Sequence, residues 1–197
     1  SKWLADGTLL REEVPTVYLT ATEFDTAGGM LTRWGLMASV RLEPFDNGGI
    51  LPHERTYSKV KSERLSLMRA CPANLSPIFA FFSDDRSTLP HLISQVAHKP
   101  PVVAFQDSHG HRQRMWTITD PNLHGLIAAN LKQQTLFIAD GHHRYETALA
   151  YRDELARRED GLPDNHPANN TLMYLSSIQD PGLMILPAHR LLPEVAP

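Results

Sequence analysis

Apolar and polar positions divide the chain into short strand-like and helix-like stretches that interleave from end to end. The sharpest change of period falls at residues 135–156. Residues 135–139, Thr-Leu-Phe-Ile-Ala, form a run rich in β-branched and aromatic side chains, of strand length. From Tyr145 the spacing becomes helical: Tyr145, Ala148, Leu149, Arg152, Leu155 and Ala156 share one face, interrupted only by Arg152. Asp140-Gly141 stands at the switch, where an Asp side chain is suited to cap the first free N–H groups of a helix. The pattern predicts strand, tight turn, helix.

The same reading predicts the flanking elements. Residues 14–25 and 31–42 are β-rich runs separated by Ala27-Gly28-Gly29, which predicts a β-hairpin. Residues 60–70 read as a helix with Leu65, Leu67 and Met68 as its buried stripe and Pro72 as its stop. Residues 76–82 are continuously apolar, as in a strand covered on both faces. Residues 87–99 return to helix through Leu89, Leu92, Ile93 and Val96. Residues 102–106 and 114–119 are strands about the turn Asp107-Ser-His109-Gly110-His111. Asp120-Pro121 opens a helix reaching Lys132, with Pro in its first turn. A polar loop over 161–170 precedes two further strand candidates, 172–175 and 183–187. The fold class is therefore α/β in the mixed α+β sense, a mixed sheet with interleaved helices.

Composition narrows the picture without changing it. A chain of 197 residues with 42% hydrophobic and 21% charged residues suits one ordinary globular domain over 1–197. Within it, 1–45 is the hairpin region and 46–197 the core. Residues 2–8 read like the end of a helix closing at Gly7, and 191–197 stop after an apolar run, so we expect a central portion of a longer chain. No apolar run approaches membrane-spanning length and no signal peptide is evident. The lone Cys71, beside Pro72 at a helix end, reads as a core residue and fits a reducing cytoplasm. A net charge of −3 argues against a surface read by nucleic acid.

Chemistry concentrates at the central junction. A helix start offers unpaired N–H donors and the positive end of the peptide dipole, so it attracts anions. Gly141 places no Cβ in a ligand's way. His142, His143 and Arg144 add donors and positive charge where acidic residues are usual, at about 0.3–1 kcal/mol per charge. A bound anion would offset that cost. The plain alternative is that Asp140 pairs with Arg144 and both histidines are solvated. A second group, His53-Glu54-Arg55, follows the short apolar run Ile50-Leu51 and reads as a base with an anion contact, or as a solvated loop. His189-Arg190 is a candidate second clamp. His142 and Glu146 share helical spacing, but zinc-protease signatures need two ligating histidines there. His109-x-His111 has no third ligand near in sequence and reads as a solvated hairpin tip. Walker A, Gly-x-Gly-x-x-Gly and Gly-x-Ser-x-Gly motifs are absent.

Ala139-Asp-Gly-His-His-Arg-Tyr-Glu-Thr-Ala148 resembles the signature of the family called domain of unknown function 1015. Residues 51–56, 73–78, 116–120 and 185–190 resemble its other blocks in the same order. Members are about twice as long as this chain, and the family has no settled activity. More distantly, Asp-Gly-His-x-Arg is similar to the phosphate-binding motif of the ParB/sulfiredoxin superfamily, which implies a ParB/sulfiredoxin-like core. Its free-serine kinases carry a closely similar Asp-Gly-His-Thr-Arg sequence. The resemblance implies that Gly141, His142, His143 and Arg144 hold nucleotide phosphates (ATP, ADP or CTP), with Asp140 on Mg²⁺ or the acceptor hydroxyl. His189 and Arg190 complete the phosphate set, and His53 and Glu54 are the acid–base candidates from the residues themselves. Sulfiredoxin chemistry is set aside, because Cys71 lies outside the motif. The expected activity is a nucleotide-dependent phosphotransferase acting on a small hydroxyl compound. The alternative is a ParB-like nucleotide-gated or nucleotide-hydrolysing binding protein.

Overall fold

The computed structural model describes residues 2–54 and 58–186, and the side chains of 58–61 fall outside that description. Five helices are present there: α1 (Lys2–Ala5), α2 (Ser58–Ala70), α3 (Thr88–Val96), α4 (Pro121–Leu131) and α5 (His142–Arg158). The strands are β1 (Val17–Thr26), β2 (Gly29–Arg41), β3 (Ile50–Leu51) and β4 (Ile78–Phe82), then β5 (Val103–Gln106), β6 (Arg112–Ile118), β7 (Leu136–Asp140) and β8 (Asn170–Ser177). All eight join one sheet in the order β3-β7-β4-β8-β2-β1-β6-β5. Neighbours are antiparallel except β3 with β7 and β4 with β8, so the sheet is mixed as expected.

Period-two alternation drives one face into the core. Leu19 and Ala21, Leu36, Ile78 and Ala80, Ile138, Met173 and Leu175 are buried, from five neighbouring strands that include both arms of the hairpin. The hairpin β1–β2 lies in the middle of the sheet, with β2 against β8 and β1 against β6. Its turn uses Gly29 at φ 112°, a backbone state that suits glycine. β4 alternates rather than being covered equally on both sides. Ile78, Ala80 and Phe82 are buried, while Phe79 and Phe81 pack edge-to-face on the other side, ring centroids 4.8 Å apart. α4 begins as its sequence asks, with the Asp120 carboxylate accepting from Asn122 N–H and Pro121 at the first position.

Helix α5 packs on β4, β8 and α2, burying Tyr145, Ala148 and Leu155 with Leu149 at the margin. The Tyr145 hydroxyl accepts from Glu43 N–H (3.1 Å) and donates to Glu43 C=O (2.7 Å), and its ring stacks on Phe45 at 5.1 Å. Arg152 donates to Leu42 C=O at 3.0 Å. These bonds explain the charge inside the apolar stripe: both polar side chains serve the backbone of residues 42–43, which lead into β3.

Three sequence expectations are corrected. Leu67 is exposed, and the inner side of α2 is Leu65 and Met68. Cys71 is exposed, since it follows the last turn of α2 rather than lying within its inner face. Residues 183–186 form no strand, and Ile185 and Leu186 face outward. Among the described residues no helix is long and apolar enough to cross a membrane.

Candidate functional site

Sheet topology brings the two chemical segments together. β3 runs parallel to β7, with Ile50 opposite Leu136 and Leu51 opposite Phe137. The chain leaving Leu51 therefore emerges at the same end of the sheet as the chain leaving Asp140. Carboxyl ends of parallel strands are where α/β sheets commonly place ligands. β4 runs the other way, so its preceding residues Ser76 and Pro77 reach this end too. The register between β4 and β7 shifts: Ala80 faces Ile138 but Phe79 faces Asp140, leaving Ala139 as the extra residue of a β-bulge. Such a bulge bends the strand end and re-aims the side chain after it.

At the turn the structure departs from the capping expectation. Gly141, at φ 98° and ψ 22°, occupies the N-cap of α5, and no side chain bonds the helix start from that position. Asp140 instead pairs with Arg144, four residues on. Arg144 also donates to Ser76 Oγ at 2.6 Å and to Pro77 C=O. A Cβ on Gly141 would meet the Arg144 guanidinium at 3.0 Å, so the glycine serves both the left-handed backbone and the close-lying arginine. Arg144 thus faces the protein, clasping the turn to the start of β4. The first intrahelical bond is Tyr145 N–H to Gly141 C=O at 3.0 Å, and the peptide N–H groups ahead of it point out of the helix.

His142 is not solvated. The residue is 2% exposed, the only histidine among the buried residues described. Its Nε2 accepts from His53 N–H at 3.2 Å, which leaves the proton of a neutral ring on Nδ1. Nδ1 lies 3.1 Å from Glu54 Oε1, yet off the axis of a hydrogen bond, so this buried nitrogen has no satisfied partner. Burial pushes the His142 imidazole below its usual range, more than the neighbouring Glu54 carboxylate pulls it up, and His53 pushes in the same direction as burial. The ring is therefore neutral near pH 7. His53 is exposed and oriented: its Nδ1 donates to Ile138 C=O at 2.7 Å, so Nε2 presents a lone pair outward. The two rings meet edge-on at 4.5 Å.

Asp140, Gly141, His142, Arg144, His53 and Glu54 are thus gathered at one sheet end. His143 lies half-buried in the first turn of α5, its carbonyl accepting from the Thr147 hydroxyl at 2.6 Å. Arg55, His189 and Arg190 lie outside the described residues. Sequence reasoning missed Ser76, Pro77 and the Ile138 carbonyl as supports. The family-like block at 73–78 was a signal for the first two. Among the described residues, one group of three donors is close enough to meet a metal together: His53, Glu54 and His142, one ligand atom of each lying within 4.8 Å of the others.

The fold and this corner define a mixed α/β protein with a polar, histidine-rich site at a strand–turn–helix junction. The chain belongs to the family described as Protein of unknown function (DUF1015), whose model matches residues 1–197. No curated protein and no solved structure matches it.

Proposed function

We propose that this site binds the phosphates of a nucleotide and transfers a phosphoryl group to a small hydroxyl compound. One observation carries the reading: the first turn of α5 lies beside the His53–Glu54–His142 cluster at one end of the sheet. An anion-binding helix start next to ionisable groups is what phosphoryl transfer needs, since that chemistry depends on positioning and charge stabilisation more than on a special nucleophile. The likeness of Asp140–Arg144 to the ParB/sulfiredoxin phosphate motif supports it, and the ParB-like core is part of this proposal.

In this reading ATP, ADP or CTP sets its phosphates against the N–H groups of residues 142–144. Arg144 holds the turn through Ser76, Pro77 and Asp140, and the positive end of the α5 dipole favours the anion. Asp140 has one oxygen on Arg144 and an outward-facing carboxylate, 73% exposed. That donor fits Mg²⁺, which commonly takes one or two carboxylates plus substrate phosphates; when bound, it neutralises phosphate charge. His53 and Glu54 stand beside the turn, where the acceptor hydroxyl is received and activated. His189 and Arg190 belong to the proposal as a second clamp.

Asp140→Asn tests it. The substitution keeps size and removes charge, so turnover of nucleotide with hydroxyl acceptors should collapse while nucleotide affinity stays within about tenfold, roughly 1.4 kcal/mol. Tight binding with no turnover by the unsubstituted protein would replace the kinase reading with the nucleotide-gated binder.

A further inference from the structure

His53 and Glu54 both stand against the buried His142 ring. A histidine that ligates a metal characteristically donates its other ring N–H to a carbonyl or carboxylate, and a ligating carboxylate is itself held by a donor. His53 shows the first feature, with Nδ1–H on Ile138 C=O and Nε2 directed outward. Glu54 approaches the second without completing it: His142 Nδ1 stands behind it at 3.1 Å but forms no hydrogen bond to it. That nitrogen is buried and lacks a well-aligned partner, so a small rotation of the Glu54 carboxylate is the motion that satisfies it. His142 cannot be a ligand through Nδ1 without placing a second proton against His53 N–H, because Nε2 already accepts there.

We infer that His53 Nε2 and the Glu54 carboxylate form a binding site for a first-row transition-metal dication such as Zn²⁺ or Mn²⁺, with His142 as the positioning residue. One ligand atom from each of His53, Glu54 and His142 lies within 4.8 Å of the other two. Metal–N and metal–O bonds of about 2.0–2.2 Å bring such a pair closer than that, which the exposed loop of His53 and Glu54 permits by a small closure. An imidazole with a carboxylate favours zinc, manganese or cobalt over magnesium and calcium, which prefer oxygen alone. Two protein ligands leave coordination positions open to water or to an oxygen of a bound molecule, the mark of a working rather than a structural cation. In the reading above, such a cation would receive the acceptor hydroxyl; its binding does not depend on that reading.

The test is titration of the intact chain with Mn²⁺, followed by electron paramagnetic resonance, and with Zn²⁺ by calorimetry, both without nucleotide. One saturating cation per chain is expected. His53→Ala and Glu54→Gln should each weaken it at least tenfold with unchanged circular dichroism; Glu54→Gln should keep the melting temperature, and His53→Ala should lower it only by the loss of its bond to Ile138 C=O. The double variant His109→Ala/His111→Ala should leave it unchanged. X-ray absorption of the zinc-loaded protein should count one imidazole. Absence of saturable binding, binding that survives both substitutions, or two imidazoles would overturn the assignment. ADP affinity of His53→Ala, measured without metal, separates the two ideas. Its loss of the cation with ADP still bound supports the site. Failure of the unsubstituted protein to bind ADP ends the nucleotide reading and leaves the cation site standing.

Discussion

Among the described residues, two corners carry a pair of histidines with a carboxylate, and they are built in different ways. At the tip between β5 and β6, Asp107 accepts from His109 N–H at 2.9 Å, His111 N–H at 3.0 Å and the Gln113 amide at 2.9 Å. The rings of His109 and His111 stack at 5.8 Å, and His111 Nδ1 is 3.5 Å from the Asp107 carboxylate. Every one of those bonds is local to the turn and serves to close it. At the end of β3 and β7 the partners come from far apart in sequence. His53 is joined to His142 across 89 residues and to Ile138 across 85, and one ring is buried. Nearness of histidines is therefore weak evidence. What marks the second corner is that the fold spends burial and long-range backbone bonds on orienting ionisable groups, which a turn does not require.

The comparison is most exposed to His142→Ala. That change removes the acceptor of His53 N–H and leaves space in a packed region, so it should destabilise by about 2–4 kcal/mol in urea unfolding. His109→Ala and His111→Ala should each stay within about 0.5 kcal/mol, as surface substitutions do. Equal effects at the two corners would erase the distinction.

Arg144→Lys should follow at about 1–2 kcal/mol. A single ammonium cannot reproduce the planar fork that reaches Ser76, Pro77 and Asp140 together. Phosphate affinity should fall with it, because the turn loosens, and isothermal titration beside the unfolding curve measures both. Unchanged affinity and stability would show that the clasp plays no part.

Gly141→Ala is expected to cost about 1 kcal/mol or slightly more, from its φ of 98° and the guanidinium 3.0 Å from the new methyl group. Gly110, at φ 84°, gives the matched comparison at the hairpin tip, where the nearest atom is a Gln106 side-chain end at 3.7 Å. Its alanine variant should lose the backbone share alone.

The smallest effect is on pH. The Gln113 amide first, then the His111 and His109 N–H groups, hold the Asp107 carboxyl below its ordinary value of 3.8. A depressed carboxyl contributes stability above its unfolded pKa and loses it as pH falls through the lower folded value. The β5–β6 tip should therefore loosen only below about pH 4. Amide exchange at residues 109–111 that is already fast at pH 6 would contradict this.

Much of the fold was legible because it is written in local period and punctuation. The switch at Asp140-Gly141, the hairpin around Gly28-Gly29 and the Asp120-Pro121 helix start each depend on residues within a turn of one another. The pairing of β3 with β7 is different. Ile50-Leu51 is only two residues long, too short for a period, and its parallel partner lies far along the chain. That pairing, with the His53 bonds to His142 and Ile138, joins His53-Glu54 to the helix start, so the site was visible as two halves and not as one. Asp140 misled for a related reason. It has the side chain of a cap, but the bulge at Ala139 and the left-handed Gly141 move it one position back and turn it to Arg144. Leu67 misled because apolar identity does not say which side of a helix faces inward, and Cys71 because it lies just past the end of α2.

The central claim is that the start of α5 receives phosphate, and its amides report on that directly. In a nitrogen-15 correlation spectrum, adding ADP should shift the N–H signals of His142, His143 and Arg144 saturably, with those of His109, Gly110 and His111 unmoved. Signals at residues 142–144 that stay in place while ADP binds elsewhere, or that never respond to it, would contradict the account.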